Sequence, residues 1–128
     1  MILYHFCAKH CLNDILRDGL TLGMTPVFTA NSMSLMKGHQ WLTAEKDHRK
    51  QSWNTHNLVT YSRTAVRLTV SIPDNYRKKL VKATDFAKTL PPEGRYIITD
   101  YAGSDAWYIY KGRIPPKWIA GYELMKEA

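Results

Sequence analysis

A single α+β domain is predicted by three observations. The chain has 128 residues, the size of one compact domain, and 45% of them are apolar, enough to bury a core. Residues 64–72, Thr-Ala-Val-Arg-Leu-Thr-Val-Ser-Ile, alternate with strand period: Val66, Leu68, Val70 and Ile72 share one face, and Ala65, Arg67, Thr69 and Ser71 the other. In 8–18, Cys11, Leu12, Ile15 and Leu16 instead recur at helical spacing, and Gly19 stands where a left-handed cap ends a helix. No repeat, heptad or linker divides the chain, so strands and helices belong to one unit, residues 1–128.

In order along the chain, Ile2 to Cys7 suits an opening strand, with Leu3 and the aromatics on a pleated surface. The 8–18 helix follows, and Asp18-Gly19-Leu20 turns it away. From Thr21 to Gln40 the residues are small, polar and Met-rich, broken by Gly23, Pro26, Asn31 and Gly38, which predicts a long irregular connection. Trp41-Leu42-Thr43 is a short strand, and 45–54 is polar enough for an exposed helix that presents Trp53 to the core. Pro73-Asp74-Asn75 ends the 64–72 strand; Tyr76 to Leu90 mixes basic and apolar residues and holds a short helix before Pro91-Pro92-Glu93-Gly94 breaks the chain. Tyr96-Ile97-Ile98 fits either a strand or a buried helix end. Trp107 to Lys111 is a strand closed by Gly112-Arg113-Ile114-Pro115-Pro116, and residues 117–124 a last one.

Composition excludes several classes. Charged residues at 23% and aromatics at 12% do not describe a disordered tail. The longest apolar runs, such as Trp107-Tyr108-Ile109-Tyr110, fall far short of the roughly 20 residues of a membrane-spanning helix, so no membrane association is expected. The opening Met1-Ile2-Leu3-Tyr4-His5 has neither a basic segment nor a cleavage site, so no secretory signal is expected. Two cysteines, Cys7 and Cys11, are too few for a disulfide scaffold and fit a cytoplasmic, reducing compartment.

Eighteen Lys and Arg against eleven Asp and Glu leave +7, a surplus that draws nucleic acids, nucleotides or acidic proteins. No tail concentrates it: the cation and acid counts are seven and four in residues 1–64, eleven and seven in 65–128. The densest run, Arg77-Lys78-Lys79-Leu80-Val81-Lys82, reads as a phosphate contact or as a solvated face. Four Trp and eight Tyr can pack a core or form a stacking platform for single-stranded nucleic acid, and Tyr61, Tyr76 and Tyr101 sit in polar contexts that predict exposure.

Common catalytic machinery is missing from the sequence: no Walker loop, no dinucleotide glycine fingerprint and no paired zinc-protease histidines. His5, Cys7, His10 and Cys11 offer zinc-type ligands within seven residues, but a strand-to-helix junction points them in different directions, so no metal site is expected. Cys11 reads as a small core residue, and adjacent His10 does not face it as a base would. His39, His48 and His56 have no carboxylate at useful spacing.

Three stretches taken together carry a resemblance. A Leu3-Tyr4-His5-Phe6 strand leads into a helix ending Ile15-Leu16-Arg17-Asp18-Gly19-Leu20; Trp41-Leu42-Thr43 follows; and Trp107-Tyr108-Ile109-Tyr110-Lys111 runs into Gly112-Arg113-Ile114-Pro115-Pro116. In this order they resemble the ADP-ribosyltransferase-like fold, which includes DNA-targeting transferase toxins, RNA 2′-phosphotransferases and small bacterial and phage relatives. The resemblance implies a split antiparallel sheet with short helices around a cleft that holds NAD or an ADP-ribosylated intermediate. His5 takes the place of the family's first-strand histidine, which bonds a ribose hydroxyl of the nicotinamide side; by itself, the residue reads as a ring satisfying a backbone group near a strand end. Thr43 is similar to the family's cleft-facing hydroxyl, or is a strand-end cap.

The sequence also departs from the family. Where the transferase toxins carry a Glu that stabilises the oxocarbenium-like transition state, the alignment on the Gly112 turn places Trp107, and a neutral indole lacks that charge. Asp105 lies in the loop that contacts the acceptor, as a base or relocated carboxylate, or else within an ordinary turn with Ser104. The RNA phosphotransferases do without the Glu and hold phosphates through Arg and His, which makes Arg67 and Arg63 candidate phosphate ligands beside their reading as solvated strand-face charges. The expectation is an NAD-binding cleft with His5, Thr43, Trp107 and Arg67 around the cofactor and His5 and Asp105 at the chemistry. It leans to an NAD-dependent transferase acting on a nucleic-acid or protein acceptor, or on a phosphorylated RNA end. A non-catalytic nucleic-acid or protein binding module on the same scaffold is the alternative. The reading requires His5 to line the same hollow as the segment before the double proline.

Overall fold

The computed structural model describes residues 1–29, 32–51 and 61–126. The opening aromatic and aliphatic run forms strand β1 (Ile2–Cys7). A single 3-10 turn at Lys9–Cys11 then leads into helix α1 (Leu12–Asp18), so the predicted 8–18 helix is two consecutive pieces. Gly19 ends α1 at φ 82°, and its N–H bonds the Ile15 carbonyl at 2.7 Å. A side chain there would overlap the Ile114 carbonyl oxygen, because Leu20 and Ile114 exchange two backbone hydrogen bonds of 2.9 and 3.0 Å beside it. Glycine is required by both conformation and space.

Residues 21–40 are not the irregular connection expected. Strands β2 (Met24–Thr29) and β3 (Ser32–Lys37) form a hairpin registered from Met24↔Lys37 to Thr29↔Ser32. The misleading signals were the small, polar composition and the breakers, Pro26 above all. β2 pairs only with β3 within its two-stranded sheet, and an edge tolerates a proline that donates no hydrogen bond. Gly38, at φ 92°, then turns the chain into β4 (His39–Thr43), two residues longer than predicted. The expected 45–54 helix is present, among the described residues, only as the turn His48–Lys50, where the Asp47 side chain accepts the Arg49 N–H; Trp53 and His56 lie outside the described residues.

The 64–72 alternation forms β5 (Val66–Ser71), with Val66, Leu68 and Val70 buried and Arg67, Thr69 and Ser71 partly exposed. A 3-10 turn at Asp74–Lys79 precedes β6 (Leu80–Lys82), a strand the basic pattern concealed, and helix α2 (Ala83–Ala87). Tyr96-Ile97-Ile98 resolves as helix, α3 (Tyr96–Thr99). β7 (Trp107–Lys111) and β8 (Ile119–Leu124) close the fold as expected. Six strands form one antiparallel sheet in the order β6-β7-β4-β1-β5-β8, so the protein is α+β with most regular structure in the sheet.

Successive strand residues point to opposite faces, and β7 feeds two cores: Tyr110 joins Leu3, Leu42, Leu68 and Trp118 under α1, while Ile109 joins Ala83, Ala87, Leu90 and Ile98 under α2 and α3. β1 and β5 pair along their length, from Ile2↔Ser71 to Cys7↔Val66, but β1 and β4 share one registered pair, Tyr4↔Thr43. The centre of the sheet is therefore joined narrowly, and the pocket described below opens there. No helix among the described residues is long and apolar enough to cross a membrane.

Candidate functional site

Beyond Tyr4↔Thr43, the Trp41 carbonyl of β4 is taken by a side chain: the His5 ring donates its Nδ1–H to it at 2.8 Å. A carbonyl only accepts, so this bond fixes the tautomer, and in the neutral ring Nε2 is left as an acceptor. The bond is the one described by the reading of a ring that satisfies a backbone group, and it leaves Nε2 able to accept, not donate, in the neutral ring. Burial lowers the His5 pKa, and the bond to Trp41 opposes that shift.

The strand opening holds a cavity of about 480 Å³, within the range of small-molecule sites. His5, Thr43 and Trp107, far apart in sequence, all line it, so the imidazole and the segment before the double proline share one hollow. Thr43 is buried between Tyr4 and Trp107, its register partners on either side. Its Oγ1 accepts the Glu45 N–H at 3.0 Å, which fits the capping reading, though of a turn and not a helix. Accepting that bond leaves the hydroxyl hydrogen to donate.

Rings dominate the walls. Trp107 meets Trp41 edge-on, with centroids 5.9 Å apart at 88°, and Tyr101 at 5.5 Å and 43°. Tyr4, Phe6 and Tyr61 add to the lining, and Tyr61 is held against the His10 ring at 4.6 Å. Sequence reading missed Tyr4 and Phe6 because their strand context signals packing; the polar neighbours of Tyr61 and Tyr101 were the available signal, and both are exposed. No Asp or Glu lines the cavity among the described residues, and 52–60 contain none in sequence. Cys7 and Cys11 also line it as free thiols. Burial, with Cys11 nearby, pushes the Cys7 thiol up to about 11, which keeps it protonated and a poor nucleophile. Among the described residues no three His, Cys, Asp or Glu side chains gather as a metal site.

Two expected site residues are placed elsewhere. Asp105 is exposed in the turn Ser104–Ala106 and does not reach the lining. Arg67 lies on β5, with β1 between it and β4. Its guanidinium donates to Glu123 Oε2 at 3.0 Å and to the Lys46 carbonyl at 2.9 Å, and sits 5.5 Å from the Tyr4 ring centroid. This position ties β5 to β8 and to the 45–47 segment. Of the two arginine candidates it is Arg63 that lines the cavity. An Arg67→Ala protein is expected to lose about 1–2 kcal/mol of stability in urea unfolding, from charged hydrogen bonds and ring contact, with unchanged ligand affinity. Loss of affinity without loss of stability would instead make Arg67 a ligand contact.

The lowered His5 pKa gives a signed pH dependence. Below the ordinary value of 6.5 the unfolded chain takes up a proton that the folded chain resists, so this contribution to stability is complete above 6.5 and is lost as pH falls through the folded value. His39 shifts the same way, through burial and the neighbouring Lys111 charge. Melting temperature is expected to fall between about pH 7 and pH 5, and less steeply in a His5→Gln protein.

No known family model matches the sequence, no curated protein is significantly similar to it, and no solved structure matches its fold.

Proposed function

We propose that the cavity between β1, β4 and β7 is an ADP-ribosyltransferase-like cleft that binds NAD or an ADP-ribose-like ligand. The observation that carries this reading is the convergence of His5, Thr43 and Trp107 on one cavity at the narrow join of the sheet. Neutral His5 Nε2 accepts a ribose hydroxyl hydrogen and Thr43 donates its own to a ribose oxygen. A nicotinamide or adenine ring lies against Trp107 or Tyr101, where stacking contributes about 1–3 kcal/mol per ring. Arg63 faces the phosphates. The two free thiols fit a reducing, cytoplasmic setting.

Binding comes first in this reading, and transfer of ADP-ribose to a nucleic-acid or protein acceptor, or processing of a phosphorylated RNA end, second. Breaking the nicotinamide bond builds positive charge at the ribose, and the cavity offers indole faces where the toxins carry a carboxylate. Asp105, two residues before Trp107, would act from outside the lining, toward the acceptor. The same acid-free, ring-rich wall favours one rival, a non-catalytic module whose pocket takes an unpaired nucleobase.

Trp41 and Trp107 line the cavity, so titration with NAD, ADP-ribose and a phosphorylated RNA end can be followed by tryptophan emission and by calorimetry. Saturable binding of NAD or ADP-ribose that is abolished in a His5→Ala protein supports the reading. No binding of any of the three, with oligonucleotides binding instead, selects the rival. Labelled NAD with cell lysate then tests transfer, and no labelled product would limit the protein to binding.

A further inference from the structure

The charge that the sequence spreads evenly is gathered by the fold. Residues 74–79 and 111–117 carry six of the 18 cations and one of the 11 acids, hence +5 of the chain's +7. Three contacts bring them together. β6 pairs with β7 from Leu80↔Tyr110, which sets Lys79 beside the Lys111 end of β7. The Lys79 ammonium lies over the Tyr110 ring, 5.4 Å from its centroid, and against Gly112. Trp118 packs on both Tyr110, at 5.7 Å, and Tyr76, at 4.8 Å, which joins the turn at Pro116–Trp118 to the turn at Asp74–Lys79.

Little acid is at hand to neutralise this end, although carboxylates pair with several cations elsewhere. Arg17, Arg49, Lys50, Arg67 and Lys88 each pair with a carboxylate. Of the six gathered cations only Arg77 does among the described residues, with exposed Asp74 at 3.9 Å. Asp18, the acid beside Arg113, is already held by Arg17 at 2.8 Å.

We propose that this end of the sheet, built from Arg77, Lys78 and Lys79 beside Lys111, Arg113 and Lys117, is a phosphate-backbone binding surface for single-stranded nucleic acid. It occupies the opposite end of β7 from Trp107, about 14 Å away at strand rise, and is separate from the cavity. Nucleic acid is favoured over an acidic protein or a lipid surface by Tyr76. This ring is 40% exposed among the cations and braced by Trp118, a combination on which a base stacks while its phosphates are neutralised. The surface does not depend on what the cavity holds, so a failed NAD titration leaves it standing.

The test is fluorescence anisotropy with a short labelled single-stranded oligonucleotide, from about 50 to 200 mM salt. Two triple variants of equal net charge are compared: K78Q/K111Q/R113Q at the surface and K46Q/K50Q/K88Q away from it. Lys79 is kept because it packs on Tyr110, and circular dichroism melting checks both folds. Wild type is expected to bind with log K falling linearly in log salt. The surface variant is expected to bind about tenfold or more weakly at low salt, with a slope smaller by about two, and the distant variant to match wild type. A Tyr76→Ala protein weakens binding with the salt slope unchanged. No binding at low salt, equal loss in both triple variants, or binding of polyglutamate or anionic phosphatidylserine vesicles as tight as that of the oligonucleotide would each overturn the proposal.

Discussion

A Trp107→Ala protein is expected to lose NAD or ADP-ribose affinity by about 5- to 150-fold, the equivalent of the 1–3 kcal/mol carried by one stacked ring. Three features of its position predict so large an effect. Trp107 is only partly buried, so its ring has a face to offer; it is fixed edge-on by Trp41 and tilted by Tyr101; and its backbone pairs with Thr43, which places it across the narrow join from Tyr4. Truncation also removes packing from the core under α2 and α3, so stability falls as well. A Trp107→Phe protein separates the two effects: it keeps a ring in the wall and should recover most of the affinity. Equal affinities for wild type, Trp107→Phe and Trp107→Ala would show that no ligand ring lies on this residue. Replacement with Glu, which introduces a carboxylate into the cavity wall, should raise any transfer rate while weakening binding that depends on stacking.

The second large effect is on stability alone. Gly19→Ala is expected to cost roughly 2–4 kcal/mol, measured by urea unfolding, because it combines backbone strain at φ 82° with loss of the paired Leu20 and Ile114 hydrogen bonds. Gly38→Ala is the contrast. Its φ is 92°, but a Cβ there meets nothing, so only the backbone term of about 1 kcal/mol applies. Equal losses at the two positions would mean that the close approach of Ile114 carries no weight.

How much of this was legible in the sequence depended on whether the signal was local. The β5 alternation, the α1 spacing and the Gly19 cap are properties of a few consecutive residues, and each was readable. β6 and the β2–β3 hairpin were not, because three residues after a basic turn and a proline-bearing edge strand take their structure from their partners. The site divides the same way. His5, Thr43 and Trp107 were singled out through the order of the pieces, and they line one cavity. Arg67 and Arg63 read alike in sequence; that Arg63 lines the cavity and Arg67 does not is set by the tertiary fold. The charged surface was hidden for a related reason, since its two halves lie more than thirty residues apart and are brought together by the β6–β7 pairing and the ring contacts of Tyr110 and Trp118.

The single Tyr4↔Thr43 pair leaves a narrow backbone join between β6-β7-β4 and β1-β5-β8, and the shared core of Leu3, Leu42, Leu68 and Tyr110 spans it from below. A guest lodged in that seam, touching His5 on one half and Trp107 on the other, works as a clasp. It adds contacts to a join that the backbone makes through one registered pair, so occupancy is expected to raise the melting temperature.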